Sequence, residues 1–302
     1  VTGAFFYAVA LMDFIPQTAR DDCFKGAPMT ATTYQTINLA TIQAAFPKRA
    51  IDAHKQSFGH LWIYGGSMGF TGAPKLAASG AMAVGTGLVS IACPAEVYPI
   101  IATSSMEVMV HPQPSADFST ATALLAGPGW GSSQAEQLND VLHAKQAVVL
   151  DADALNMISS EEQLEYILSK RQALSVLTPH PGEAGRLLGI ASKQVQSDRQ
   201  AAALALVERY HCWIVLKGFE TLIISPELDI WLNPFGSAKL ATAGTGDVLA
   251  GMIGGLLAAA HPPDIAIPAA VGLHGLAGEQ RGWYRAGQLE GIIANFVESY
   301  QL

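Results

Sequence analysis

"KLATAGTGDVLAGMIGGLLAAA", Lys239 to Ala260, joins a glycine-rich turn to an apolar stretch long enough for a buried helix. Asp247 is the last charge before the run Val248 to Ala260. Gly244 and Gly246 permit backbone conformations that other residues resist. The free amides of Gly244, Thr245 and Gly246 at the start of a helix, with its dipole behind them, make an anion hole. An aspartate beside such a hole would repel a resting anion. It fits better if it faces a neutral hydroxyl and takes its proton during attack on phosphorus, while the amides hold the phosphoryl group. The plainer alternative is a helix cap, with the glycines serving packing.

Upstream of this stretch the chain alternates short apolar runs with helical ones. "HLWIY" (from His60), "GLVSIACP", "ATALLAGPG", "AVVLDADALN", "ALSVLTPHPGE" and "CWIVLKG" each contain a strand. Helical stretches such as Gln134 to His143 and Asp198 to Tyr210 fall between them. Apolar strands alternating with helices give a mostly parallel sheet covered on both faces. "TLIIS" and "DIWLN" are expected to form a hairpin or edge strands, and Asp247 to Leu302 is expected to be almost all helical. Residues 29 to 302 then make one α/β domain. Its first element is "MTATTYQTINLATIQAAFPKR", expected as a short helix ended by Pro47. Residues 1 to 28 show no period and are expected to be an upstream extension or the end of a preceding domain.

In sheets of this kind ligands bind at the carboxyl ends of the strands. "GGSMGFTGAP", "AGPGWG", "DADALN", "TPHPGE", "LKGFET" and "ATAGTGD" should therefore open on one edge. His180 stands between two prolines that fix its backbone, which suits either a ligand contact or a structural role. Glu183 is placed to cap the following helix. Lys217 can reach a phosphate, or merely sit in a turn. Gly127, Gly129 and Gly131 let a ligand approach the backbone. Asp151, Asp153 and Asn156 can serve magnesium-linked or ribose contacts, or cap a strand end. No G-x-x-x-x-G-K-[ST] and no G-x-G-x-x-G occurs, so neither a P-loop nor a dinucleotide fingerprint is present. A Ser-His-Asp hydrolase is not expected.

The composition agrees with a large core: 50% of the 302 residues are hydrophobic and 14% are charged. A net charge of −8 argues against nucleic-acid binding. An anionic ligand would need local lysines or backbone amides. No apolar run reaches the roughly 18 to 20 residues of a membrane span. Cys23, Cys93 and Cys212 are widely spaced, which fits free thiols in a reducing compartment, and zinc is not expected. A cytoplasmic enzyme is the expectation.

Taken in order, "AHKQSFGHLWIYGGSMGFTGAP", "AGPGWG", "LDADALN", "LTPHPGEAGRLLG", "VLKGFETLI", "WLNPFGSAKLATAGTGDVLAGMIGGLLA" and "LHGLAGE" resemble the ADP- or ATP-dependent NAD(P)H-hydrate dehydratase family. The resemblance runs from about His54 to Gly278. "TPHPGE" together with "GTGDVLAG" is its most specific part. It implies a ribokinase-like three-layer fold and the repair of hydrated NADH and NADPH, called NADHX and NADPHX. The implied route phosphorylates the ring hydroxyl with ADP or ATP and then expels phosphate. The resemblance places Asp247, Ala73, Gly129 and His180 at the hydrate. It places Lys217, Gly218, Phe219, Glu220, Thr221 and Gly246 at the adenine nucleotide. Mg2+ and a homotetramer are also implied, with no metal ligand assigned. Phe70, Trp130 and Phe219 depart from the family pattern and are expected to reshape the pocket. The rival readings are a ribokinase-fold kinase of a hydroxyethylthiazole or a sugar, in which "TPHPGE" is not expected, and a non-catalytic dinucleotide-binding protein.

Overall fold

The strands of the central sheet carry apolar side chains on both faces, and that pattern dictates three layers. The computed structural model describes residues 34–104, 106–113 and 117–301. Its strands are β1 (Tyr34–Thr36), β2 (His60–Tyr64), β3 (Leu88–Cys93), β4 (Met109–Pro112) and β5 (Ala123–Ala126), followed by β6 (Ala147–Leu150), β7 (Ser175–Leu177), β8 (Trp213–Leu216), β9 (Leu222–Ile224) and β10 (Ile230–Leu232). They form one 10-stranded sheet in the order β1-β10-β9-β8-β7-β6-β5-β2-β3-β4. Every pairing is parallel except the two that β9 makes, with β8 and with β10. The expected hairpin is β9–β10, but β1 lies outside β10 and pairs with it in parallel.

Alternate residues of each strand enter different cores. Leu61, Ile63, Val149, Val176 and Val215 pack with helices Ala73–Ala83, Thr245–Ala258, Pro263–Glu279 and Leu289–Gln301. Trp62, Tyr64, Val148, Leu150, Leu177, Ile214 and Leu216 pack with helices Ala135–His143, Asp153–Ser160, Glu162–Lys170, Pro181–Leu188 and Arg199–Tyr210. A strand buried on both faces reads as a continuous apolar run, which is why these segments show no alternation in sequence.

The apolar helix of the opening stretch spans Thr245–Ala258 and lies against Ala73–Ala83. Glycines set how closely. A Cβ on Gly251 would stand 1.8 Å from the Ala77 carbonyl oxygen, and one on Gly80 would stand 2.2 Å from that of Val248. The two backbones touch, which fixes the start of the helix against the sheet edge.

Three elements differ from expectation. Within the described part of the helix expected over Met29 to Pro47, the helical residues are Leu39–Gln43, and Asn38 caps them: its side chain accepts from Thr41 N at 3.0 Å. An asparagine that bonds its own backbone starts helices rather than continuing them. Tyr34–Thr36 before it is strand. Strand β4 and the helix Tyr98–Thr103 have no counterpart in the sequence reading. Residues 1 to 33, which include the expected extension 1 to 28, Cys23 and the start of the helix expected from Met29, lie outside the described residues. Cys93 and Cys212 are buried free thiols. Among the described residues no helix is long and apolar enough to cross a membrane.

Candidate active site

Three parallel strands end side by side and deliver the floor of the site. Asp151 follows β6, Thr178 follows β7 and Lys217 follows β8. Asp151 is buried, with its side chain 2% exposed. Its Oδ1 accepts from Thr178 Oγ1 at 2.8 Å and from Lys217 Nζ at 2.6 Å. Glu183 Oε2 lies 3.9 Å from the same ammonium. Burial pulls Lys217 toward neutrality, but Asp151 and Glu183 more than offset it, so its pKa is raised and the cation persists.

His180 and Glu183 open the helix Pro181–Leu188 as a reciprocal cap. His180 Nδ1 accepts from Gly182 N at 2.9 Å, and Glu183 Oε2 accepts from His180 N at 2.7 Å. An Nδ1 that accepts backbone N–H groups leaves the ring hydrogen on Nε2, which lies 3.3 Å from Glu183 Oε1. Burial, then Lys217 and Arg186, push the His180 pKa down, so the ring is neutral. Glu183 does cap the helix, as its spacing predicts. The His180 ring remains about half exposed at the rim.

At the start of Thr245–Ala258, Gly244 takes φ +92°, a left-handed conformation natural to glycine. Among the described residues the amides of Gly244, Gly246 and Asp247 have no acceptor. Thr245 N instead donates to Thr242 O at 3.3 Å, and its side chain donates to Leu240 O at 2.7 Å. The open amides are thus those of Gly244, Gly246 and Asp247, and Thr245 serves the turn. A Cβ on Gly246 would stand 3.5 Å from Lys217 Nζ, so that ammonium reaches the helix start. The Asp247 carboxylate makes no hydrogen bond or ion pair within the described residues. Burial pushes its pKa up to about 7; Asp151 adds to the rise, Lys217 opposes it, and Asp153 and Glu183 add further.

The opposite wall is backbone. Gly129 has φ +58°, and a Cβ there would stand 2.7 Å from the Phe70 carbonyl oxygen and 2.9 Å from Ala73 Cβ. Gly129 and Ala73 therefore touch. Gly131 N donates to Asp153 Oδ2 at 2.8 Å, Asn156 Nδ2 donates to Asp153 Oδ1 at 3.2 Å, and Arg186 Nε donates to Asn156 Oδ1 at 2.9 Å. With Asp151 held by Lys217 and Thr178, and Asp153 held by Gly131 and Asn156, these carboxylates form no metal cage. Among the described residues no three His, Cys, Asp or Glu side chains converge to hold a metal.

The loop Lys217 to Thr221 is braced from behind: Arg199 Nη2 donates to Leu216 O at 2.9 Å and Nη1 to Lys217 O at 3.3 Å. Gly218 and Glu220 both take positive φ, and Thr221 Oγ1 donates to Gly218 O at 3.0 Å. Only Lys217 of the five turns into the carboxylate cluster; Phe219 is 89% exposed. Trp130, expected to reshape the pocket, is fully buried in the core and packs near Tyr64 instead. Gly65-Gly66-Ser67-Met68-Gly69 satisfies the G-x-S-x-G spacing of a hydrolase elbow, a match the sequence reading overlooks. Ser67 Oγ donates to Gly129 O at 2.9 Å and has no imidazole partner among the described residues, so it braces the loop. Two further residues escape the sequence reading. Thr178 is hidden inside "TPHPGE" and His274 inside "LHGLAGE", each within a stretch legible only as a family motif.

The family model described as NAD(P)H-hydrate dehydratase matches residues 61–285, which include every residue of this site. The chain belongs to the NAD(P)H-hydrate dehydratase family. The ADP-dependent (S)-NAD(P)H-hydrate dehydratase of Neisseria meningitidis is 42% identical over 258 residues, covering 82% of this chain and 87% of that protein. The bifunctional NAD(P)H-hydrate repair enzyme of Coxiella burnetii is 42% identical over 241 residues, covering 78% of this chain and 48% of that protein. The chain thus spans about half the length of its bifunctional relatives. A crystal structure of the ADP/ATP-dependent NAD(P)H-hydrate dehydratase of Bacillus subtilis, grown with ATP and Mg2+, matches with a TM-score of 0.79 at 30% identity. It covers 89% of this chain and all of that one, and the shared fold is ribokinase-like.

Proposed function

We propose that this dehydratase restores NADHX and NADPHX to NADH and NADPH at the expense of ADP or ATP, with Asp247 as the base. The observation that carries the reading is the Asp247 carboxylate: unpaired, raised to about 7, and one residue from Gly246, which faces Lys217. A base poised near the working pH is matched to taking a proton from a hydroxyl. The ring hydroxyl oxygen attacks the terminal phosphorus of the nucleotide while Asp247 accepts its proton. The nucleotide leaves with one phosphate fewer. The C–O bond to phosphate then breaks, the neighbouring ring carbon gives up a proton to solvent, and the ring double bond returns as inorganic phosphate departs. Hydroxide is a poor leaving group and phosphate a good one.

Ala73, Gly129 and His180 surround the hydrate in this reading, with the neutral His180 ring offering Nε2–H. Lys217, Gly218, Phe219, Glu220, Thr221 and Gly246 surround the nucleotide. The open amides and Lys217 hold the phosphoryl group as its charge develops. Mg2+ usually binds substrate phosphates with one or two carboxylates. The described residues supply no cage for it, so the reading gives it no protein ligand. A homotetramer is proposed on the family resemblance, and a reducing, cytoplasmic setting on the widely spaced cysteines.

The test supplies NADHX and NADPHX with ADP and ATP in parallel. It follows the return of reduced-nicotinamide absorbance and the release of phosphate. Stoichiometric recovery supports the reading. A stable phosphorylated product from a thiazole alcohol or a sugar, with no recovery of NAD(P)H, would favour a kinase.

A further inference from the structure

We propose that Asp151 is a positioning residue that tethers Lys217 away from Asp247, and so leaves Asp247 free to act as the base. The inference rests on the reading of Asp247 above and adds a reason that its carboxylate is unpaired. A buried lysine within a few ångströms of two carboxylates pairs with one of them, and here geometry decides which. Asp151 Oδ1 lies 2.6 Å from Lys217 Nζ, and Glu183 Oε2 lies at 3.9 Å. Among the described residues no ion pair joins Lys217 to Asp247, although Nζ reaches the neighbouring Gly246.

The tether is itself held. Thr178 Oγ1 donates to the same Oδ1 at 2.8 Å, and Asp151 N donates to Ala126 O at 3.0 Å, both fixing the carboxylate at the strand end. From the other side, Lys217 N donates to Pro179 O at 2.9 Å and Arg199 Nη1 grips Lys217 O, so the lysine backbone cannot follow its ammonium toward the helix. The groups that face Asp247 electrostatically are Asp151, Lys217, Asp153 and Glu183. His274 stands behind Thr245 and is neutral. Of these, Lys217 is the single cation, and Asp151 holds it.

Without the Asp151 charge, Lys217 turns to Asp247. An opposite charge within about 4–6 Å lowers a carboxylate pKa by roughly 1–3 units. Asp247 would then be ionised at neutral pH but a weaker base, held in an ion pair with the very group meant for phosphate.

The test needs no substrate. Carboxyl carbon titration by NMR follows Asp247 in the wild type, in Asp151→Asn, and in Asp151→Asn/Lys217→Met, with the Asp247 signal assigned by its absence in Asp247→Asn. Asp151→Asn should lower the Asp247 titration by at least about one pH unit. The double substitution, which removes the cation, should restore it. An unchanged titration in folded Asp151→Asn overturns the proposal, as does a double variant no higher than the single. If Asp151→Asn does not fold, the double variant, which removes both members of the Asp151–Lys217 pair together, carries the test. Asp247 titrating there in the ordinary carboxylate range would overturn the tether. Where hydrate is turned over, the acid limb of kcat/KM in Asp151→Asn should move down with the titration. Failure of wild-type turnover would defeat the functional reading and leave the tether result standing.

Discussion

His274 Nε2 lies 2.9 Å from the carbonyl oxygen of Thr245, deep between the helices Pro263–Glu279 and Thr245–Ala258. A carbonyl can only accept, so Nε2 carries a hydrogen. Burial pushes the His274 pKa down to about 4, with Lys217 adding to the fall and the Thr245 bond opposing it. The histidine thus pins the turn that presents Asp247, and burial, not the Thr245 bond, is what opposes its charge.

A pH-dependent stability follows. Between its folded value of about 4 and its ordinary value of 6.5, His274 is protonated in the unfolded chain but not in the folded one. Stability from this group therefore rises with pH across that window and is lost below it, by on the order of 3 kcal/mol in total. His274→Gln, which can still donate to Thr245 O, should flatten the acid limb of chemical-denaturation stability. An acid limb identical to wild type would show that another group sets it.

The glycine contact between helices gives a second test. Gly251→Ala places a Cβ where the Ala77 carbonyl stands, 1.8 Å away in the unrelaxed structure. Overpacking of this kind costs about 1–3 kcal/mol or more. Urea unfolding should show that loss. Turnover should fall as well, because the same helix carries Asp247 and the same partner helix begins at Ala73. A neutral substitution would mean the helices separate without strain.

Lys217→Ala should raise the apparent constant for the nucleotide more than that for the hydrate, by about 10-fold or more, as expected for a charge-assisted contact. It should also destabilise the protein by roughly 3–5 kcal/mol, because Asp151 is left buried without its counter-charge. Steady-state kinetics with each ligand varied in turn check the first part, and a thermal melt checks the second. A larger effect on the hydrate constant would move this loop to the nicotinamide side.

Much of this was legible in the sequence because the decisive elements are apolar and periodic. The runs from Leu61, Ala123, Val148 and Ile214 read as strands buried on both faces, and their alternation with helices gives a mostly parallel sheet covered on both sides, with the family resemblance adding the ribokinase-like three-layer fold. The loops named from strand ends do open on one edge. What failed was short or side-chain-driven. The pattern around β1 reads as helix because the boundary depends on one cap at Asn38. Strand β4 is four residues long and partly exposed, with no strong pattern. The roles of Thr178 and His274 depend on contacts between residues far apart in the chain. Thr178 meets Asp151 across 27 positions and His274 meets Thr245 across 29, distances over which no local period carries information. Trp130 was misplaced for the same reason. Its neighbours in sequence are loop glycines, but its ring turns inward to the core.

Asp247 carries an opposite sign of linkage to His274. Its folded pKa of about 7 exceeds the ordinary 3.8, so the folded state holds a proton that the unfolded chain has released. Stability from this group is present at low pH and lost as pH rises toward 7. Asp247→Asn should therefore melt no lower than wild type at pH values above about 7, and higher if burial of the charge is the main cost. A helix cap alone predicts little change in stability and none in rate, since asparagine caps as well as aspartate.

The rate of a single turnover of NADHX by Asp247→Asn, with nucleotide bound, tests the central claim most directly. Loss of general-base assistance predicts a fall of roughly 10²- to 10⁴-fold with the melting temperature undiminished and both ligands still bound. A near-normal single-turnover rate in a folded variant would contradict the account, and Asp247 would then be only the first charge on the helix it opens.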